Sequence, residues 1–489
     1  MDTQQNHRIQ RDFIEKYSYD DVLLQPGFAD FLPSETDLKV EIAPQVVLNV
    51  PVLSSAMDTV TEKELAIALA LEGGLGVIHR NMTPEEQGAQ VAAVKRYLNW
   101  IIEDPLTVQP NQTIGDVREI VQRHGISGLP VIEKDHLVGI ITSRDLRFAP
   151  DNTVAVSNVM TPDPVVQVGV PTLNSAQEKF NEFKIEKLPV VDESGRLTGL
   201  ITVKDMEKHR LFPHAAMDSS GRLLVGAAIA PVDVDSRLHL LINARVDVIV
   251  IDTAHGDSRN VVDAVQKVKG LYPDLTVIAG NVATAEGTRR LIAAGADVIK
   301  VGVGPGSICT TRIVAGIGVP QLSAVMDAVD VAREHGVPVI ADGGVKFSGD
   351  ITKAIAAGAH AVMVGSLFAG LKEAPGKEFL YEGRIFKSYR GMGSVAAMKR
   401  GGGERYNVAE GEEPVPEGVE GRVPYKGELR QYLHQLVTGL RKGMGYCGCR
   451  DLSQLRQYRN FVKITSAGLA ESHIHDVSLV RQPANYSRS

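Results

Sequence analysis

Residues 275–303 read LTVIAGNVATAEGTRRLIAAGADVIKVGV, and this stretch decides the fold class. Two short apolar runs rich in β-branched residues, 275–281 and 298–303, enclose residues 285–294, which have helical spacing. Continuous apolar strands that alternate with helices are typical of a parallel sheet buried on both faces. The stretch therefore predicts a strand–helix–strand unit of an α/β protein.

The same alternation extends to both sides of this unit. Four more apolar runs occur after residue 215. Two others lie upstream of it, and the helix-like residues 62–72 separate those two from each other. The eight predicted strands are 51–54, 76–79, 224–229, 246–252, 275–281, 298–303, 337–342 and 361–365. Eight such units predict a closed (β/α)8 TIM barrel, and the alternative is a doubly wound open sheet.

Residues 100–213 interrupt the alternation with an internal repeat. The first copy, GISGLPVIEKDHLVGIITSRDL, begins at Gly125, and the second, KIEKLPVVDESGRLTGLITVKDM, begins at Lys184. The copies resemble a tandem pair of CBS domains, a family of adenine-nucleotide sensors. The expected domains are 1–99 and 214–489 for the two parts of the catalytic barrel, 100–155 for the first CBS domain and 156–213 for the second.

Each copy ends in a Thr-x-x-Asp sequence at the start of a predicted helix. In CBS domains this Thr and Asp contact phosphate and ribose. The resemblance therefore implies a regulatory site for adenine or guanine nucleotides at Thr142, Asp145, Thr202 and Asp205. The alternative is that each Asp only caps its helix, and the sequence supports both interpretations.

Composition narrows the class of protein. The 489 residues include 59 acidic and 52 basic side chains, a formal net charge of −7, which argues against non-specific or specific nucleic-acid binding by the surface as a whole. Three Cys indicate a reducing compartment rather than a disulfide scaffold. The polar N-terminus and the lack of a long apolar run predict a cytoplasmic protein that does not cross a membrane.

A glycine-rich loop follows the sixth predicted strand and reads GVGPGSICTT from Gly302 to Thr311. Loops after barrel strands lie on the catalytic face, so Cys309 is a candidate nucleophile. A free thiol has a pKa of about 8.5, and the nucleophile would need local activation. The alternative is a buried, unreactive Cys, which is the interpretation given to Cys447 and Cys449.

The loops after strands seven and eight contain ADGG at Ala341–Gly344 and VGS at Val364–Ser366. They place exposed backbone N–H groups where barrels commonly bind phosphate. The Asp342 carboxylate can accept two hydrogen bonds from a ribose diol. These loops predict a sugar-phosphate or nucleotide site. Residues 399–427 then form a long polar stretch without periodicity just after the eighth predicted strand, which predicts a functional or disordered loop near the active site.

Several longer motifs resemble the IMP dehydrogenase / GMP reductase family over essentially the whole chain. They are SSAMDTVTE from Ser54, GPGSICTTR from Gly304, ADGG from Ala341, YRGMGS from Tyr389, and the long polar stretch through VPYKG. The resemblance implies a barrel with a CBS pair inserted after the second strand, and it implies that residues 399–427 are a mobile active-site flap. It also implies an enzyme of guanine nucleotide biosynthesis that oxidises IMP to XMP with NAD.

The resemblance assigns catalytic roles to four residues. Cys309 attacks C2 of the hypoxanthine ring, and the hydride passes to NAD, leaving a covalent thioimidate. Arg405, beside Tyr406, then activates water, which Thr311 helps to orient. Arginine is an unusual base because its pKa lies above 12, so residue type alone predicts a solvated surface charge at Arg405.

The resemblance also assigns binding residues. The IMP contacts are Ser55, Met57, Ser307, Asp342, Gly343, Gly344, Gly365, Ser366, Tyr389, Gly391, Met392, Gly393 and Glu417. The cofactor contacts are Asp252, Thr253, Asn281, Gly302 and Gly304, with helix capping as the alternative for Asp252 and Thr253. A potassium ion would bind carbonyls of Gly304, Gly306 and Cys309, with Glu471, Ser472 and His473 of a neighbouring subunit. Sharing this K⁺ between subunits implies an oligomer, and the resemblance implies a homotetramer, which could pair into an octamer.

Two other functions compete with this one. GMP reductase shares the barrel and the cysteine loop but uses NADPH for a reductive deamination. The long flap and the sequence Glu404-Arg405-Tyr406 favour the dehydrogenase. The other alternative is a non-catalytic nucleotide sensor in which the barrel is only a scaffold, and the intact Cys309 and Thr311 argue against it.

Overall fold

A closed eight-stranded parallel barrel forms the larger part of the structure, a computed structural model that describes residues 13–399, 415–477, 480 and 486. The barrel strands β1–β8 are Val52–Ser54, Leu75–Ile78, Val225–Ile229, Val248–Asp252, Thr276–Val282, Val298–Val301, Val339–Asp342 and Ala361–Val364. All eight predicted strands are present. Closure is made by β8 pairing with β1, where Val362 lies opposite Val52, so the predicted TIM barrel is confirmed and the open sheet is excluded.

Helices cover the outside of the barrel because their apolar residues follow a helical period. In the helix Arg259–Leu271, the buried residues are Val261, Ala264, Val265 and Val268, a spacing of three, four and seven. The flanking helices α1–α9 are Lys63–Leu71, Pro84–Tyr97, Val234–Asn243, Arg259–Leu271, Ala285–Ala293, Gln321–Glu334, Ser348–Ala356, Leu429–Cys447 and Leu452–Tyr458. The strands between them are buried throughout, as their uninterrupted apolar runs predict.

Residues Arg96–Pro213 form a separate compact unit, whereas residues 1–95 and 214–489 belong to the barrel unit. The inserted unit has two hydrophobic cores, one around Val131 and Ile141 and the other around Val190 and Ile201. Its strands are Ile101–Ile102, Gly128–Glu133, His136–Thr142, Thr161–Pro162, Gln167–Val168, Lys187–Val191 and Leu197–Thr202. Its helices are Ile114–His124, Ser143–Phe148, Leu173–Phe183 and Val203–Arg210.

A small antiparallel sheet follows β8 in the chain. Its strands are Glu378–Tyr381, Arg384–Arg390 and Glu420–Pro424. The third strand falls inside the predicted flap of residues 399–427, where the sequence indicates no secondary structure, so this part of the prediction is wrong. The reason is that the strand is held by backbone pairing, for example Tyr389 with Gly421, while its mainly exposed side chains leave no apolar alternation to detect.

The remaining elements of the described chain are short. Val22–Leu24 pairs with Phe461–Lys463, and Val40–Ala43 pairs with Val46–Leu48. A final helix spans Ser466–Ser472. Among the described residues, no helix is long and apolar enough to cross a membrane.

Candidate active site

One cavity lies at the C-terminal ends of the barrel strands and brings together residues that are far apart in sequence. Most residues predicted from the motifs line it. They are Ser55, Met57, Asp252, Thr253, Asn281, Gly302, Gly304, Gly306, Ser307, Cys309, Thr311, Asp342, Gly343, Gly344, Gly365, Ser366, Tyr389, Gly391, Met392 and Glu417. The position agrees with the general placement of active sites in this fold.

Other predicted residues lie elsewhere. Gly393 is absent from the cavity lining, but its carbonyl accepts a hydrogen bond from the Glu417 N–H at 3.1 Å. Arg405 and Tyr406 fall outside the described residues. Glu471, Ser472 and His473 lie at the end of the final helix, away from the cavity lining of their own chain.

The loop after β6 places Cys309 beside a hydroxyl and a carboxylate. The Cys309 Sγ lies 3.1 Å from the Thr311 Oγ1, and the Thr311 hydroxyl donates to the Glu417 Oε2 at 2.7 Å. Backbone pairing fixes this arrangement, since the Thr310 N–H donates to the Glu417 carbonyl and the Val419 N–H to the Ile308 carbonyl. Sulfur, hydroxyl and carboxylate therefore form a continuous path along which a proton can move.

The loop after β6 also depends on a glycine. Gly302 has φ +153°, and a Cβ there would lie 2.1 Å from the Asp342 carbonyl oxygen. Any side chain at this position would push the β6 loop away from the end of β7.

At the predicted phosphate site, the loop after β8 lies close to side chains from two other segments of the chain. A Cβ on Gly365 would lie 3.3 Å from the Tyr389 hydroxyl, 3.4 Å from the Ser55 Oγ and 3.3 Å from the Met57 Sδ. Burial raises the pKa of Tyr389 to about 12, against a hydrogen bond with Ser307 that lowers it. The Tyr389 hydroxyl therefore stays protonated at neutral pH and can donate a hydrogen bond to an anion.

A buried lysine joins the predicted ribose and cofactor residues. Lys300, which is 1% exposed, donates to the Asp252 Oδ1 at 2.9 Å, to the Asp342 Oδ2 at 2.5 Å and to the Asn281 Oδ1. The Asn281 Nδ2 in turn donates to the Asp342 Oδ2 at 2.9 Å and to the Gly302 carbonyl at 2.7 Å. One cation thus lies between two carboxylates, and it holds both at defined positions in a site with little water.

The capping alternative for Asp252 and Thr253 does not describe this structure. The Thr253 hydroxyl donates to the Gly280 carbonyl at 2.8 Å, Asp252 binds Lys300, and the helix that follows begins after Ser258. Both side chains therefore bind residues of other barrel strands at the C-terminal end of the barrel.

Another ion pair fastens two loops of the site. The Arg390 Nε donates to the Asp58 Oδ1 at 3.1 Å, and the Asn81 Nδ2 donates to the Asp58 Oδ2 at 2.6 Å. Asp58 raises the pKa of Arg390 above its ordinary value. This pair fixes the loop after β1, which contains Ser55 and Met57, to the end of the strand that carries Tyr389.

The predicted potassium ligands include carbonyls that are free to bind a cation. Within the described part of the chain, no hydrogen bond to the carbonyls of Gly304 or Cys309 is formed, while that of Gly306 accepts from the Cys309 N–H at 3.1 Å. At the final helix, the carbonyls of Glu471 and Ser472 lie in the last turn, where the helix offers no further N–H groups to donate to them. Free carbonyl oxygens suit a hard monovalent cation, so the residues fit a K⁺ ion.

The other two cysteines are buried, and all three cysteines are free thiols. Burial raises the pKa of Cys447 to about 11. Among the described residues there is no cluster of three or more His, Cys, Asp or Glu that could hold a metal ion. Cys447 and Cys449 therefore fit the structural role proposed for them.

The four predicted nucleotide-binding residues of the inserted unit form two separate hydrogen-bonded Thr–Asp pairs. The Thr142 hydroxyl donates to the Asp145 Oδ2 at 2.7 Å, and the Thr202 hydroxyl donates to the Asp205 Oδ2 at 2.6 Å. Both pairs lie at helix starts, so the capping interpretation describes these contacts. A nucleotide would have to replace them or add to them.

Comparison with known proteins identifies the family. The family model described as "IMP dehydrogenase / GMP reductase domain" matches residues 16–475. The inosine-5'-monophosphate dehydrogenase of Halalkalibacterium halodurans is 54% identical over 476 residues, which cover 97% of this chain and 98% of the relative. The Aquifex aeolicus protein of the same name is 51% identical, covering 98% and 99%.

The chain belongs to the IMP dehydrogenase / GMP reductase family. A solved structure, a cysteine-to-alanine variant of GMP reductase from Trypanosoma brucei in complex with guanosine 5'-monophosphate, is similar to this chain with a TM-score of 0.83 and 41% identity. The similarity covers 95% of this chain and 99% of that one. Both branches of the family are thus represented among proteins of the same overall length.

Sequence reasoning missed Lys300, Asp58 and Arg390 as parts of the site. For Lys300 a signal was present, because a Lys inside an otherwise apolar β strand must find partners when both faces of the strand are buried. Asp58 and Arg390 lie within the motifs quoted above, but nothing in their spacing shows that they meet.

Proposed function

We propose that this enzyme oxidises IMP to XMP with NAD as acceptor, in guanine nucleotide biosynthesis, through a covalent intermediate on Cys309. The observation that carries the proposal is the placement of Cys309, Thr311 and Glu417 in one hydrogen-bonded path beside the nucleotide-binding loops. A nucleophile next to groups that can accept a proton suits a reaction with a covalent step and a hydrolytic step.

In the first half-reaction, the Cys309 sulfur adds to C2 of the hypoxanthine ring, and its thiol proton leaves through Thr311 toward Glu417. The hydride leaves C2 as the ring becomes a thioimidate. NAD, when bound, supplies the oxidising power by accepting that hydride. Asp342, held by Lys300, binds the ribose hydroxyls, while Tyr389, Ser366 and the Gly365 backbone bind the phosphate.

In the second half-reaction, water attacks the same carbon, the C2–sulfur bond breaks, and XMP leaves with the new oxygen while the thiol is restored. Thr311 is placed to orient that water. The proton that Glu417 accepted in the first half-reaction returns through Thr311 to the sulfur, and the attacking water releases one proton to solvent. Arg405 and Tyr406 are the family's water-activating pair. Flap closure would bring them to the site once the nicotinamide has left.

GMP reductase is the second candidate, favoured by the similarity to the T. brucei structure. The identities favour the dehydrogenase, since relatives of that name reach 54% whereas the reductase structure reaches 41%. The test is nicotinamide absorbance with IMP, NAD and K⁺, run beside GMP with NADPH. NADH formation from IMP alone supports the proposal, and NADPH loss with GMP alone would replace it with the reductase.

We also propose that K⁺ binds the free carbonyls of Gly304 and Cys309 with those of Glu471 and Ser472 from a neighbouring subunit, within a homotetramer or octamer. The expected result is a loss of turnover when K⁺ is replaced by Li⁺, because the smaller ion cannot be coordinated by carbonyls spaced for K⁺. Equal turnover in both salts would contradict this site.

The inserted unit is proposed to bind purine nucleotides through its Thr-x-x-Asp turns and to regulate the enzyme. Calorimetry with ATP, ADP and GTP on the full chain is the direct test. Binding that is lost in Asp145→Ala or Asp205→Ala supports regulation, and the absence of binding by all three nucleotides would remove the proposal.

A further inference from the structure

A second cavity lies at the opposite end of the barrel from the active site. Its volume is about 400 Å³, within the range of small-molecule sites. It is bordered by the loops that lead into β7 and β8 and by helix α9. Val329, Ala332 and Val339, all nearly fully buried, form an apolar wall.

Three basic groups face this apolar wall. Arg333 is at the end of α6, His360 lies just before β8, and Arg456 lies on α9. Among the described residues, no ion pair joins Arg333 or Arg456 to a carboxylate; Arg333 is exposed and Arg456 is half-buried. Burial lowers the pKa of Arg456, which shows that its charge is partly removed from water.

The imidazole of His360 is neutral and oriented. Burial, with Arg456 and Arg333 nearby, lowers the pKa of His360 to about 3. Its Nδ1 accepts a hydrogen bond from the Val339 N–H at 3.3 Å. The proton of the neutral ring therefore lies on Nε2, and the ring can donate one hydrogen bond.

Acidic residues occur near this cavity. Glu41 is exposed in the adjoining groove, and four others contact other partners. Asp330 on α6 pairs with Arg459 at 2.8 Å. In the adjoining groove, Asp297 pairs with Lys269 at 2.9 Å, Asp451 caps α9 by accepting from the Gln454 N–H, and Asp37 accepts from the Lys39 N–H. Among the described residues that line the cavity itself, none carries a carboxylate side chain.

We propose that this cavity binds a small phosphate-bearing molecule, with Arg456, Arg333 and His360 on the phosphate and the apolar wall against the organic part. Guanidinium groups bind phosphate oxygens through charge-assisted hydrogen bonds. A dianion would also neutralise two cations that have no carboxylate partner within the described chain. An uncharged or cationic ligand would leave Asp451 as the carboxylate that partly offsets the charge of Arg456 in a partly dry site.

The experiment is calorimetry on the full-length enzyme saturated with IMP, which occupies the active-site phosphate loops. The probes are inorganic phosphate and phenyl phosphate. We expect Arg456→Leu to weaken phenyl phosphate binding at least tenfold and Arg456→Lys to weaken it less. Arg289→Leu, which removes an exposed Arg paired with Glu286 on α5, should bind as the wild type does.

Tighter binding of phenyl phosphate than of inorganic phosphate identifies a phosphorylated organic molecule as the ligand class, and equal binding identifies free phosphate. Retained IMP turnover in Arg456→Leu shows that the barrel is folded. The proposal is overturned if the IMP-saturated wild type binds neither probe, or if Arg456→Leu binds both as the wild type does. A failure of IMP to bind appears in a separate titration and bears only on the proposed function.

Discussion

Lys300 shows how much of the site depends on one side chain. It is nearly fully buried and contacts Asp252, Asn281 and Asp342, which come from three different strands. A buried carboxylate without a counter-charge is costly, and breaking a buried ion pair typically destabilises a protein by about 3–5 kcal/mol. Lys300 therefore contributes to both the stability of the upper barrel and the position of Asp342, the carboxylate proposed to bind the ribose.

Lys300→Met should lower the free energy of unfolding by about 3 kcal/mol and raise the KM for IMP at least tenfold, because Asp342 loses its anchor. Urea unfolding and initial-rate kinetics measure the two effects. Lys267→Met, which breaks an exposed pair with Asp235, should change the stability by less than about 1 kcal/mol. Equal effects of the two substitutions would contradict the role given to Lys300.

Cys309→Ala should reduce turnover on the order of 10³-fold or more, as removal of a nucleophile does in other covalent enzymes. The affinity for IMP should change little, because the phosphate and ribose contacts do not involve the sulfur. Steady-state rates and IMP titration monitored by calorimetry check both parts. Turnover near that of the wild type would exclude Cys309 as the nucleophile.

At the residue scale, the sequence predicted the groups that motifs place on loops. Cys309, Asp342 and the Gly365 loop follow directly from the rule that loops after barrel strands line the site. The contact between Thr311 and Glu417 could not be derived, because 106 residues separate them. It depends on backbone pairing that the side-chain pattern does not encode.

At the scale of elements, the strand Glu420–Pro424 is a part of the predicted flap that pairs with another strand. It follows Glu417 and pairs with the strand that ends at Arg390. This pairing holds the C-terminal end of the flap segment beside the site. The eight barrel strands were predictable because both of their faces are buried and therefore apolar. This strand was not, because its side chains are mainly exposed and its Gly and Glu residues carry no strand signal.

Arg405→Ala should spare hydride transfer and slow hydrolysis, since the flap is proposed to act after NADH has formed. The expected trace is a burst of about one NADH per active site, followed by a slow steady rate, in rapid-mixing absorbance. Arg422→Ala is the control, because Arg422 stacks on Tyr381 with 3.6 Å between its guanidinium carbon and the ring centre. Loss of the burst itself in Arg405→Ala would show that this arginine acts before hydrolysis.

For the whole molecule, acid stability should depend on His360, which lies at the base of the barrel. The pKa of His360 is lowered to about 3, below the value of about 6.5 for an unfolded chain. The neutral ring therefore contributes stability above pH 6.5 that is lost as the pH falls toward 3. Between pH 7 and pH 5 this contribution should fall by about 2 kcal/mol.

His360→Gln removes the titrating group and keeps an acceptor for the Val339 N–H. Urea midpoints at pH 7 and pH 5 should therefore differ less in this variant than in the wild type. The His335→Gln variant is the control, because His335 is exposed at the end of the same helix that carries Arg333, α6. The same acid sensitivity in His360→Gln and the wild type would contradict the neutral state of His360.

The inserted unit leaves the barrel unit and returns to it at two chain positions that have contacts close to one another. The chain departs after Lys95 and comes back at His214. On the barrel side, the Lys95 Nζ contacts the Asp218 Oδ2 at 2.9 Å, and the Asn49 side chain donates to the His214 carbonyl at 2.9 Å. Because both ends meet on one small patch, a single gene insertion or excision could add or remove some 120 residues without changing any barrel strand.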